Sequence, residues 1–176
     1  TINPLGHNVE EYFSALEAGC SGAAPITNFD ASNYKVRFAC EVKNYEWDRY
    51  FDRKEVRKYD RFAQFALVAA AEAVADANFG DDVNRRRCGV VWSSGVGGIE
   101  TYFNECMDYA KGGELPRFSP FFVPRMIADL AAGHIAMKYG FMGPNYSVTS
   151  ACASSNHAII DAFTLIRLGK ADVIVT

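Results

Sequence analysis

Three short apolar runs, separated by helical stretches, constrain this chain more than anything else in it. They are Cys88-Gly-Val-Val-Trp-Ser-Ser94, the run Tyr146–Ser150, and Asp172-Val-Ile-Val-Thr176. Runs this short and this rich in β-branched residues read as buried strands. Strands that alternate with helices imply an α/β sheet with parallel strands.

The intervening segments carry helical signals. Asp60 to Phe79 predicts the clearest helix, because Phe62, Phe65, Ala66, Ala69, Ala73 and Ala77 recur at helical spacing. So many small residues imply close packing on most sides. Gly95-Val-Gly-Gly98 predicts a turn into a helix that runs through about Ala110. Ser119 to Tyr139 reads as one helical stretch, entered through Pro120 and Pro124 and broken by Gly140-Phe-Met-Gly-Pro144. A further helix spans about Cys152 to Leu168, with Gly169 as its C-cap. Near the start, Asn8 opens a helix with Glu11 in a capping-box position, and Gly19 stops it. Val9, Tyr12, Phe13 and Leu16 predict one buried stripe on that helix. Residues 20–50 mix Pro25, Asn28, Asp30 and Asn33 and read as an irregular surface excursion. Residues 1–176 are read as one domain, with no internal repeat.

Composition narrows the function classes. A net charge of −3 argues against general nucleic-acid binding, which calls for a basic domain. No apolar run is long enough to span a bilayer, since Phe65 to Phe79 is interrupted by Glu72 and Asp76. The N-terminus has no signal-peptide pattern, and its first residue, Thr1 rather than Met, fits a trimmed start. The five cysteines lack CxxC spacing, and with three histidines no metal site is expected. Reduced thiols in a cytoplasmic protein without a cofactor are the expectation.

Cys152 is the residue most suited to chemistry. It follows an extended run, Asn145-Tyr-Ser-Val-Thr-Ser-Ala, and precedes a helix. A lone Cys among Ala and Ser is commonly a packing residue. Here its position at a helix N-terminus favours a thiolate. The small neighbours Ala151, Ala153, Ser154 and Ser155 leave room for substrate. The Cys152 N–H can face a carbonyl bonded to its own sulfur, which supplies half an oxyanion hole and suits thioester chemistry. A base is missing. His157 sits five residues on, roughly 140° round a helix, and reads as satisfied or exposed. His134 lies in an apolar helix and reads as a hydrogen-bonded structural residue, and His7 as incidental. Gly95-Val-Gly-Gly98 lacks P-loop spacing and reads as a turn, with Val96 placed to line a pocket. In the charge-dense stretch Asp52–Arg61, Lys54, Arg57 and Lys58 share helical spacing and form a basic ridge that an acidic protein could meet.

With these motifs the chain resembles the β-ketoacyl-acyl-carrier-protein synthases, and most of all their type II (KAS II) branch. The resemblance rests on Thr1-Ile-Asn-Pro-Leu-Gly6, Pro25-Ile-Thr-Asn-Phe-Asp30, Arg57-Lys-Tyr-Asp-Arg-Phe62, Gly95-Val-Gly-Gly98, Ser119-Pro-Phe-Phe-Val-Pro124, Ala132-Gly-His134, Gly143-Pro144 and Ser150-Ala-Cys-Ala-Ser154. It implies the first half of a thiolase-like fold, with the two catalytic histidines and the active-site lysine in a second half that this chain lacks. It further implies that Cys152 accepts the acyl group, that Val96 and Phe122 line the acyl pocket, and that Lys54, Arg57 and Lys58 meet acyl carrier protein. The strand Tyr146–Ser150 matches one that pairs across the family's dimer axis, so a homodimer is expected. On this reading the 176-residue chain is inactive by itself. A polyketide-type ketosynthase, a thiolase acting on coenzyme A esters, and a non-catalytic partner subunit or fragment remain open. Chain-length factors replace the nucleophile, so the intact Cys152 argues against that last reading.

Overall fold

A computed structural model describes the whole chain except residues 81, 114 and 116. It forms two compact units, Thr1–Arg49 and Tyr50–Thr176.

In the first unit α1 spans Val9–Glu17. Asn8 caps it, its side-chain oxygen accepting the Glu11 N–H at 2.8 Å. Glu11 closes the box one residue early, accepting the His7 N–H at 2.7 Å. The expected buried stripe is not buried. Val9, Phe13 and Leu16 are exposed. As expected, residues 20–50 are irregular apart from a short antiparallel pair, β1 (Ala24–Pro25) and β2 (Phe38–Ala39), and a 3-10 turn at Trp47–Arg49. His7 is not incidental. Its Nε2 is 2.8 Å from the Lys43 carbonyl and ties the opening loop to that segment.

The second unit is built on β3 (Cys88–Ser93). Cys88, Val90 and Val91 are fully buried, as a strand covered on both faces requires. β4 (Asn145–Val148) and β5 (Val173–Val175) pair with β3 in parallel on its two sides, giving the order β4-β3-β5. The connection from β3 to β4 carries α3 (Ile99–Lys111), α4 (Phe122–Met126) and α5 (Leu130–Tyr139). The connection from β4 back over β3 to β5 carries α6 (Ser154–Arg167). Successive crossovers that run in opposite directions across a sheet, each right-handed, lie on opposite faces. This places α5 and α6 on either side of β3, and both pack on it.

α2 (Arg61–Ala77) packs on α5. Its burial is concentrated in Ala63, Ala66, Leu67, Val68 and Ala70. Ala73 and Ala77, read from sequence as part of the packed pattern, are exposed, because the packing ends before the last turns. The predicted single stretch Ser119–Tyr139 is two helices. Ile127 is extended (φ −68°, ψ 131°), and the Met126 carbonyl accepts the Gly98 N–H at 2.9 Å instead of continuing a helix.

Two polar ties hold the elements together. Arg87 grips Asp172 through two 2.7 Å contacts and locks β5 to β3. Its guanidinium holds the Asp172 carboxyl below the ordinary aspartate range. Asp60, only 4% exposed, caps α2 and accepts both the N–H and the hydroxyl of Thr101 in α3. Replacing Asp60→Ala strands both Thr101 donors in the interior. A loss of about 2–4 kcal/mol in urea unfolding is expected, and a loss under about 0.5 kcal/mol would show that the tie is dispensable.

Candidate functional site

The three parallel strands end on the same edge of the sheet, and the residues after β3 and β4 meet there. β4 stops at Val148, two residues before the expected end of that strand. Thr149 and Ser150 lead into a single 3-10 turn, Ala151–Ala153, before α6 begins at Ser154. Cys152 therefore does not occupy the first turn of the helix, as the sequence suggested. It stands just ahead of it, on an elbow. The reason is Ala151, whose φ of +51° departs from right-handed helix. For a residue with a Cβ this conformation costs about 1–2 kcal/mol.

Cys152 is exposed and is not a packing residue. Its N–H has no acceptor among the described residues. The surrounding elbow is densely bonded. Ser154 is 4% exposed; its Oγ accepts the Ser150 N–H at 2.8 Å and donates to the Ala151 carbonyl at 2.7 Å. Thr149 Oγ1 donates to the Ser94 carbonyl at 3.2 Å, and Ser93 and Ser155 share a hydrogen bond of 3.2 Å. The end of β3 and the elbow thus form one platform. A cavity of about 200 Å³ opens beside it, lined by Trp92, Ser93, Ser155, Ile159 and Thr176.

His157 is exposed, and its Nδ1 lies 2.6 Å from Ser150 Oγ. It is satisfied by a serine and forms no dyad with the thiol. His134 differs from its expected hydrogen-bonded state. Its Nε2 is buried without a partner among the described residues, and the ring packs edge-on against Tyr59 at 4.7 Å.

The glycines of the 95–98 loop are explained by α4. A Cβ on Gly97 would lie 2.5 Å from the Met126 carbonyl, and one on Gly98 would overlap the Arg125 carbonyl. The loop is a close-docked turn, as its sequence implied. Val96 projects from it, 68% exposed. Phe122 is half-buried in α4, between the rings of Phe118 at 5.5 Å and Tyr102 at 6.3 Å. Hydrogen bonds connect these parts in sequence, from the elbow to Ser94 and from Gly98 to α4.

Lys54, Arg57 and Lys58 are all exposed, but the α-helical ridge expected of them is absent. Only Val56–Lys58 is helical, and that piece is 3-10. Asp52 accepts the N–H groups of Lys54 and Glu55, and Tyr59 is extended before α2, so the segment closes into a tight turn. The three cations cluster on that turn, two residues upstream of the Asp60 tie. In the sequence Ser154 reads only as a small neighbour of Cys152. Its spacing four residues after Ser150 was the available sign of a bond back to the elbow.

Comparison with known proteins bears on the whole chain. The family model described as the beta-ketoacyl synthase N-terminal domain matches residues 1–176. A relative named 3-oxoacyl-acyl-carrier-protein synthase 2, from Staphylococcus aureus, is 39% identical over 99% of this chain and 43% of its own length. A protein of the same name from a Synechocystis species is 37% identical over 99% of this chain and 42% of its own. Among solved structures, the ishigamide ketosynthase/chain length factor superposes with a TM-score of 0.86 at 30% identity, covering 97% of this chain and 43% of that one. The chain spans about two fifths of the length of these relatives, and the thiolase-like α/β half expected from sequence agrees with this likeness.

The turn and α5 meet where Tyr59 packs on His134. Burial first, and the Lys58 charge second, push His134 below the ordinary histidine value of 6.5. The folded state favours the neutral ring, so the unfolded chain takes up a proton first, and stability falls as the pH drops below that value. Urea unfolding at about pH 7.5 and about pH 5.5 should show a smaller acid-induced loss in His134→Gln than in the unsubstituted protein. Equal losses would remove His134 from the account.

Proposed function

Because the chain belongs to the beta-ketoacyl synthase family, we propose that Cys152 is the acyl-accepting nucleophile of a 3-oxoacyl-acyl-carrier-protein synthase. The observation that carries this is the exposed thiol on a strained elbow with its own N–H unpaired. In the first half-reaction Sγ attacks the acyl carbonyl, the bond to the carrier's sulfur breaks, and the carrier leaves as its thiol. The Cys152 N–H stabilises the oxyanion. In the second, malonyl-carrier protein loses carbon dioxide, and the resulting carbanion attacks the acyl-Cys thioester. Cys152 is released, and the product is a 3-oxoacyl-carrier protein two carbons longer. No redox cofactor is needed. The family resemblance implies that the second oxyanion donor, the two catalytic histidines and the lysine lie outside the matched N-terminal domain.

Val96 and Phe122 line the acyl pocket on this reading, and their hydrogen-bonded connection to the elbow supports it. Lys54, Arg57 and Lys58 receive the acidic carrier protein, and their exposure on one turn supports that. β4, at the edge of the sheet, pairs with a second copy to form a homodimer, which would cover an otherwise open strand. The enzyme acts in the cytoplasm. A second reading, a polyketide-type ketosynthase, is favoured by the likeness to the ishigamide ketosynthase/chain length factor. Product analysis separates the two: one elongation of a saturated acyl group, or repeated extension of an unreduced one.

Incubating the full-length protein with acyl-carrier protein should add one acyl mass, mapped to Cys152 by peptide mass spectrometry. An adduct on Cys88 or Cys106 instead would overturn the assignment. Reversing Lys54, Arg57 and Lys58 to Glu should raise KM for carrier-protein substrates roughly tenfold or more at low salt, with a weakened salt dependence. An unchanged KM would reject the docking turn.

A further inference from the structure

We infer that Ser154 is a positioning residue for acyl transfer, one that sets the direction of the Cys152 N–H. This inference rests on the assignment of Cys152 as the acyl acceptor. The direction of that N–H is fixed by the plane of the Ala151–Cys152 peptide. The carbonyl of the same peptide is Ala151 O, and Ser154 Oγ donates to it at 2.7 Å. The oxygen that holds the plane is itself held, accepting the Ser150 N–H at 2.8 Å. One buried hydroxyl therefore bridges the Thr149–Ser150 and Ala151–Cys152 peptides, one on each side of the Ser150–Ala151 peptide that leads into the residue with φ +51°. Without the hydroxyl, nothing else among the described hydrogen bonds grips the Ala151 carbonyl apart from the Ser154 N–H that closes the 3-10 turn. A left-handed Ala relaxes toward more populated backbone conformations, and rotation of the peptide turns the N–H away from the carbonyl held on Sγ.

The role separates from mere support of the thiol because two reactions of Cys152 make different demands. Alkylation by iodoacetamide is a displacement at carbon and builds no oxyanion. Acylation passes through a tetrahedral oxyanion and needs the N–H. Presentation of the thiol affects both reactions, whereas the direction of the peptide affects only one.

In the full-length protein, Ser154→Ala should slow acylation of Cys152 by acyl-carrier protein at least tenfold at saturating carrier. KM for the carrier and the iodoacetamide rate should each stay within about threefold. Ser154→Thr, which keeps the hydroxyl, should recover most of the acylation rate. Three results would overturn the inference: wild-type acylation in S154A, a parallel fall in acylation and alkylation, or an S154T variant as slow as S154A. If the unsubstituted protein is not acylated on Cys152 at all, the functional assignment itself fails and this role falls with it.

Discussion

The pairing of β3 on both of its edges is the constraint on which the second unit depends. Cys88, Val90 and Val91 have no exposed surface, so the strand requires a neighbour on each side and a helix on each face. Its sequence permits this because Gly89 has no Cβ. A side-chain carbon there would stand 2.5 Å from the Pro144 carbonyl, where the chain enters β4. The Val90 N–H then reaches that carbonyl at 2.8 Å. On the other side, the Arg87 carbonyl accepts the Asp172 N–H at 2.8 Å, and the paired Arg87 and Asp172 side chains reinforce the same register. A one-residue slip of β4 or β5 would turn that strand's own side chains to the opposite face of the sheet.

The position of the site follows from this order of strands. The chain leaves β3 in one direction to make β4, then crosses back over β3 to make β5. Parallel sheets open a crevice where successive connections depart to opposite faces, outside the carboxyl ends of the strands. The loop after β3 and the elbow after β4 leave from that edge, and Thr149, Ser94, Ser93 and Ser155 join them. Cys152 is thus carried at the edge of the parallel sheet, and the docked glycine loop extends the platform to α4.

Much of this was legible because it depends on local chemistry. The strands were visible as β-branched runs, and Cys152 as a thiol between a strand and a helix. Gly169, the predicted stop after α6, has φ +66° and donates its N–H to the Ile166 carbonyl. The misreadings depend on partners distant in sequence. The stripe on α1 has the right period, but period does not supply a covering element. Lys54, Arg57 and Lys58 have helical spacing, yet the Asp52 carboxylate closes a tighter turn around them. The break between α4 and α5 is set by the Gly98 N–H, which arrives from the end of another strand. Ser154 was overlooked because a small polar residue in a small-residue motif gives no sign of its burial. The direction of its hydroxyl is a property of the folded elbow alone.

The energetics make a strained elbow reasonable. A left-handed Ala costs about 1–2 kcal/mol, whereas losing one oxyanion donor costs about 2.7–4 kcal/mol of transition-state stabilisation. The strain is the smaller term, and the two Ser154 hydrogen bonds, at about 1 kcal/mol each, are enough to offset it in the folded state. Glycine at position 151 would remove the strain, but it would also loosen the peptide, since glycine visits both signs of φ freely. An alanine held in an unfavourable conformation has fewer alternatives than a glycine held in a comfortable one. On the proposed role of Cys152, a preorganised N–H depends on a residue that resists its conformation and on a buried hydroxyl that enforces it.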